Sequence, residues 1–158
     1  MMAGNVREYV GRTVDLLAFQ MDRTAQRQEM VQSLVRGVER GRLVTGVEKL
    51  AQRFLLILLT EVESMGYLPQ AGTRFLIDAR FGSWRTTADI RQSFASAVLD
   101  VQRQLRQQEL DSDPDEEKFA SAEITGLSLT GDGVKLAIRL TSVAGDSREI
   151  LTPISVVV

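Results

Sequence analysis

The spacing of the apolar residues changes once along this chain, and that change limits the fold more than any other feature. In residues 45–64 and 86–109 the apolar side chains recur every three or four residues, whereas after Phe119 they alternate with polar ones. The first spacing is that of a helix packed on one side; the second is that of a half-buried strand. Ile90, Phe94, Val98, Val101 and Leu105 form a stripe that predicts a helix over residues 86–109. Thr86 or Thr87 suits its N-terminal cap, Asp89 its first turn, and Arg103 and Arg106 its negative end. The opposite face reads as Arg91, Gln92, Gln102, Gln104 and Gln107, all polar.

An earlier helix is predicted over residues 45–64, where Val47, Leu50, Ala51, Phe54, Leu58 and Val62 share a face. Within it Phe54–Leu59 is apolar on every side, so it needs cover on every side, from its own domain or from a neighbour. Gly66 and Pro69 close this helix. Residues 66–85 then read as a loop in which Tyr67, Phe75, Phe81 and Trp84 either lid the core or act as contact anchors, the lid being the simpler reading.

Beyond the acidic connector of residues 110–118, three strands are predicted. The first, from Phe119 to Thr130, shifts phase at Gly126, as a bulge does. Gly131-Asp132-Gly133 turns the chain into a second strand with Val134, Leu136, Ile138 and Leu140 on one face. Residues 149–158 make the last, with Pro153 demanding an edge or an irregularity. The fold class is therefore α+β, an N-terminal arm and two main helices packed on a C-terminal three-stranded antiparallel meander. Ile154, Val156 and Val158 lie in a final strand with no charge to guard it, and such an edge calls for a pairing partner.

The N-terminal part is less decided. Residues 5–19 fit a helical stripe (Val10, Val14, Leu17) and equally a strand (Val10, Arg12, Val14, Leu16). Residues 20–40 are rich in arginine and glutamine, with a thin stripe at Val31, Leu34, Val35 and Val38, and read as an arm or weak helix that a partner orders. Two segments follow, an arm or docking segment over 1–43 and an α+β domain over 44–158.

Composition closes most chemistry. The chain has no cysteine and no histidine, which removes thiol nucleophiles, disulfides, the commonest general base and the commonest metal ligand. No cofactor is expected. The carboxylates Asp111, Asp113, Asp115, Glu116 and Glu117 are dense, but Pro114 and Glu116 sit where a calcium loop needs its glycine. Gly131-Asp132-Gly133 opens no helix and so is no phosphate loop. The arginines of residues 103–108 have no interleaved aromatics, and the net charge is −2, so no nucleic-acid partner is expected. The longest apolar run, Phe54–Leu59, falls far short of the roughly 18 residues of a membrane span, and residues 1–10 lack the apolar stretch of a signal peptide. Residues 1–109 carry 15 basic and 12 acidic side chains and residues 110–158 carry 4 and 9, with 16 of the 19 basic ones arginine. Arginine in that excess fits either a solvated surface or planar, bidentate protein contacts.

Several short stretches in a fixed order resemble one family. Val47-Glu-Lys-Leu-Ala-Gln-Arg-Phe54, a leucine–threonine step at Thr60, Pro69-x-x-Gly72-Thr73, a long amphipathic helix and an acidic step into a β-meander are similar to the sheath-initiator, or baseplate wedge, family of contractile phage tails. The resemblance covers residues 44–158. Glu63 stands where members commonly have glycine, and Glu116, Glu117 and Lys118 stand where they carry a glutamate–proline–arginine signature. The resemblance implies a non-enzymatic virion protein of the tail baseplate, present in several symmetric copies. Its partners would be the tail sheath protein, baseplate wedge and hub proteins and the tail tube. Contacts are implied at Glu116, Glu117 and Lys118, and strand addition at Ile154, Val156 and Val158. A tail or injection-machine scaffold that never touches sheath is the alternative.

Overall fold

The computed structural model describes residues 13–17, 19–22, 29–34, 43–130 and 133–155, with 19–22, 29–34 and Thr130 described by their backbone. The elements in chain order are β1 (Asp15–Leu16), β2 (Phe19–Asp22), β3 (Glu29–Leu34), β4 (Leu43–Val44), α1 (Gly46–Leu58), α2 (Phe75–Arg80), α3 (Thr87–Gln108), a 3-10 turn (Asp115–Glu117), β5 (Phe119–Thr130), β6 (Gly133–Ser142) and β7 (Ser147–Ser155). The fold is α+β, with helices packed on one face of the antiparallel meander β5-β6-β7.

The alternation seen in the sequence sets that face. Val134, Leu136, Ile138 and Leu140 of β6 are buried, and across the ladder Val134 meets Ile154 and Ile138 meets Ile150. Against this layer lie α1 and α3, contributing Leu50, Phe54, Leu55, Leu58, Ile90, Phe94, Val101 and Leu105 to one core. Phe54 stacks on Phe119 at 5.9 Å between ring centroids, so the first residue of β5 is pinned to the middle of α1. Leu56 is the outward residue of the apolar run; Leu55 and Leu58 are fully covered within the chain itself.

α3 begins with a capping box in which the Thr86 side chain accepts from the Asp89 N–H and the Asp89 carboxylate accepts from the Thr86 N–H at 2.7 Å. These bonds to Thr86, partly opposed by the cost of taking the carboxylate from water, hold Asp89 below the ordinary carboxylate value. The stretch expected as a loop contains α2, a helix of six residues. Its aromatics divide: Phe75 is buried, with Trp84 4.8 Å and Phe94 5.9 Å away, whereas Tyr67 and Phe81 are 81 % and 77 % exposed.

The expected phase change in β5 is a register shift between Ile124 and Gly126. Thr130 pairs with Gly133 at the end of the β5–β6 ladder, and residues 131–132, where the turn is expected, lie outside the described residues.

The N-terminal segment corrects the sequence reading most. Its described parts are strands, not a weak helix; Val10, Arg12, Val35 and Val38 lie outside the described residues. β1 pairs antiparallel with β4, and β2 and β3 form an antiparallel hairpin. β3 then pairs in parallel with β7, through Glu29–Glu149, Met30–Ile150 and Val31–Leu151, giving a five-stranded sheet in the order β2-β3-β7-β6-β5. Over residues 149–151 the last strand is therefore not an uncovered edge but lies between β6 and β3. The β3 ladder stops two residues before Pro153, which has no N–H to offer.

Candidate interaction surface

Among the described residues the only long free edge of the sheet belongs to β5, which pairs on one side with β6. β2, at the other end, has four residues; β5 has 12. At about 3.4 Å per residue that is an edge of roughly 40 Å. Natural edges are guarded by lysine, proline, bulges or brevity. β5 contains no lysine or proline, and its single charge, Glu123, leans across the outer face to Arg139 at 3.6 Å. Register shifts near Ala120 and Thr125 blunt the first two thirds of the strand. From Gly126 to Thr130 the ladder is regular, and nothing guards it; Leu129 there is 57 % exposed.

The outer face of the sheet, away from the helices, is low and apolar beside that stretch. Gly126, Ala137, Leu151 and Pro153 floor a shallow depression of about 430 Å³, with Ser128 and Lys135 along it. Gly126 keeps the floor flat, since a Cβ there would stand 3.2 Å from the Ala137 methyl. A strand laid beside Gly126–Thr130 would set alternate side chains against this depression and return the others to the helical side.

The site residues expected from the sequence separate into different roles. Ile154 is a core residue facing Val134, so its side chain is not offered to a partner; Val156 and Val158 lie outside the described residues. Glu117 is likewise turned inward, at 1 % exposure. Its carboxylate accepts hydrogen bonds from Thr13 Oγ1, Thr45 Oγ1 at 3.2 Å, the Gly46 N–H at 3.4 Å and Lys49 Nζ at 2.8 Å. Burial pushes this carboxyl up, but the bonds from Lys49 and Thr13 and the positive charge of Lys49 outweigh it, and the group sits below the ordinary glutamate value. The acidic connector is thus in part a latch joining the base of the arm, the start of α1 and the entry to β5. Gln52 strengthens the same corner, donating to Asp15 Oδ2 at 3.0 Å and to the Leu16 carbonyl at 2.7 Å. Glu116 packs against Gly46, where an added Cβ would stand 2.9 Å from its Oε2, and Lys118 pairs with Asp115 at 3.1 Å.

A second knot forms where the resemblance was read. Thr73 donates its N–H to the Thr60 carbonyl at 2.8 Å and its hydroxyl to the Leu58 carbonyl at 2.8 Å. Gln104, expected on the solvent face of α3, is buried and holds both sides of the Gly72 peptide unit, accepting its N–H at 2.9 Å and donating to its carbonyl at 2.8 Å. Glu63 adopts φ 68°, a left-handed conformation that glycine takes without strain.

Among the described residues no group of three acidic side chains is placed to hold a metal ion, and no helix is long and apolar enough to cross a membrane. The free edge of β5 was open to inference from the sequence, because the first strand of a meander is as much an edge as the last. The covering of β7 was not, since its partner lies more than a hundred residues earlier. Comparison with protein-family models, curated proteins and solved structures found no match.

Proposed function

We propose that this chain is a structural component of a contractile phage tail baseplate, docking on wedge and hub proteins around the tail tube and nucleating the sheath by accepting a strand. Several copies act together in a symmetric assembly of the virion. The observation that carries the reading is the unguarded run Gly126–Thr130 on the free edge of β5, next to an apolar depression. A foreign strand gains main-chain hydrogen bonds along such an edge and side-chain register from the adjoining face. The acceptor edge is moved from the C-terminal strand to β5, because β7 is already paired on both sides over residues 149–151.

Two further observations support the family reading. Thr60, Gly72 and Thr73, which carry part of the resemblance, are bonded into one knot under α3, and Glu63, which replaces the common glycine, has the backbone conformation that glycine favours. The reading is non-enzymatic: the sequence offers no histidine or cysteine, and of the connector carboxylates Glu117 is engaged in the latch.

The test is electron microscopy of this protein co-expressed with the sheath and tube proteins of its own source, beside the variant Ser128→Lys with Leu129→Lys. Both positions are exposed, so the variant guards the edge without entering the core. Ordered sheath that grows with the native chain and is lost with the guarded variant is the expected result. Sheath that forms equally well without the chain refutes the reading, and attachment to wedge or tube proteins without any sheath contact favours a scaffold of another kind.

A further inference from the structure

We infer that a strand added beside Gly126–Thr130 is selected by its side chains: opposite Gly126 it carries a large aromatic residue, and opposite Ser128, two residues along, an acidic one that pairs with Lys135. The inference rests on the reading of β5 as an acceptor edge and adds what that edge recognises.

Two rows of residues cross the outer face of the sheet at this place. Gly126 is paired with Ala137 and Ala137 with Leu151; Ser128 is paired with Lys135 and Lys135 with Pro153. Towards the other end of the same face the polar groups engage one another. Glu123 reaches Arg139 at 3.6 Å, and Thr125 Oγ1 donates to Glu149 Oε1 at 3.1 Å. Lys135 differs from them: it is exposed, forms no ion pair among the described residues, and is the single charged member of the two rows. The apolar depression beside the regular part of β5 thus has one unanswered positive charge at its margin.

A strand added to β5 lies about 4.8 Å from it and twice as far from β6, so its outward side chains reach Ala137 and Lys135 only across β5. The small residues at 126 and 128 let them pass. Gly126 has no side chain, and the space over it is shallow, since a Cβ there would already stand 3.2 Å from the Ala137 methyl. A flat ring laid over the glycine backbone covers it and ends on Ala137, as aromatic neighbours cover edge glycines in other sheets. Ser128 is short enough for the Lys135 stem to lean over it, and a carboxylate on the added strand meets the ammonium there. The same lysine repels a basic residue at that rung, so the contact excludes as well as attracts. On the helical side, alternate residues of the added strand fall beside Leu127, packed against the core, and the exposed Leu129, and are apolar. The pattern is therefore apolar–acidic–apolar–aromatic for a strand antiparallel to β5, and its reverse for a parallel one.

The test titrates short peptides into the full-length, isotope-labelled chain and follows its backbone amides by NMR. The probes are acetylated and amidated Thr-Val-Glu-Val-Phe-Thr and its reverse order, with variants in which alanine replaces the phenylalanine, or glutamine or lysine the glutamate. One order is expected to shift the amides of Gly126–Thr130 saturably. The alanine peptide should bind roughly five- to tenfold more weakly. The glutamine peptide should bind about two- to fivefold more weakly at low salt, a gap that narrows as salt screens the pair. In Lys135→Glu, a change at an exposed position, the lysine peptide should bind more tightly than the glutamate one. Equal binding of the glutamate, glutamine and lysine peptides, or no such reversal in Lys135→Glu, overturns the acidic contact. An alanine peptide as tight as the phenylalanine one overturns the aromatic contact. In either case saturable shifts at Gly126–Thr130 leave the acceptor edge standing. Shifts confined to other parts of the chain, or no binding by either order, overturn the inference outright. Sheath growth in the co-expression assay tests the acceptor edge without these peptides, so the two readings fail separately.

Discussion

Replacing Glu117 by glutamine tests whether the acidic connector is a structural latch. The substitution keeps the shape but removes the charge, and it replaces one carboxylate oxygen by an amide NH2 that cannot accept from Lys49 or Thr13. Lys49 is left at 13 % side-chain exposure with its counter-charge gone. A hydrogen bond to a charged group contributes about 1.5–3 kcal/mol. Breaking a fully buried pair costs about 3–5 kcal/mol, and the residual exposure of Lys49 lowers that, so the expected loss is about 2–3 kcal/mol. In a chain of this size that corresponds to a fall in Tm of roughly 5–10 °C. Because the folded carboxyl lies below the ordinary value of 4.5, its contribution is complete above the unfolded value and is lost as pH falls through the folded one. Urea unfolding of both proteins should therefore differ fully at pH 7, and the difference should shrink progressively below about pH 4.5. A difference under about 0.5 kcal/mol at pH 7, within the range of an ordinary surface change, refutes the latch. A gap that persists undiminished into acid shows that the loss comes from shape and not from charge.

Two backbone positions give sharper tests of the second knot. In Gly72→Ala the new Cβ would stand 2.3 Å from the Thr60 carbonyl oxygen, at φ +94°, so a loss of about 3 kcal/mol is expected in a denaturant melt; a near-neutral result means that the loop between α1 and α2 does not close on Gly72 as described. In Glu63→Gly the left-handed backbone at φ 68° is relieved, and the gain of about 1 kcal/mol, less the entropy that glycine brings to the unfolded chain, should raise Tm measurably. A lower Tm would show that Glu63 carries no strain there.

Those residues also mark how far the sequence could be read. α3 was legible end to end because a 22-residue helix repeats its stripe many times and carries its own cap. The meander was legible because β6 alternates without a break. α2 was not, since six residues make fewer than two turns and show no period. Gln104 read as solvent-facing by composition, yet a neutral amide is the side chain that can accept one backbone N–H and donate to a carbonyl at once, and Gly72 presents both. Glu117 was one acid among five, and nothing local distinguishes it; Lys49, which turns it inward, is 68 residues away. β3 failed for the same reason in stronger form, because parallel pairing with β7 leaves no mark in the hexapeptide itself.

The two ends of the sheet are unequal, and that inequality bears on the proposed role. A sheet with two open edges would add strands at both and grow without limit, the route to fibres. Among the described residues β7 is flanked by β3 over residues 149–151, the outer strand β2 has only four residues, and the one long unguarded run is Gly126–Thr130 of β5. The single long edge fixes the side on which foreign strands would be added. The proposed role needs that property, because an initiator that could also pair with itself along β5 would consume its own acceptor. The register shifts near Ala120 and Thr125 oppose such self-pairing: two copies of β5 laid edge to edge would have to match bulge to bulge, whereas a short foreign strand needs only the five regular residues beyond them.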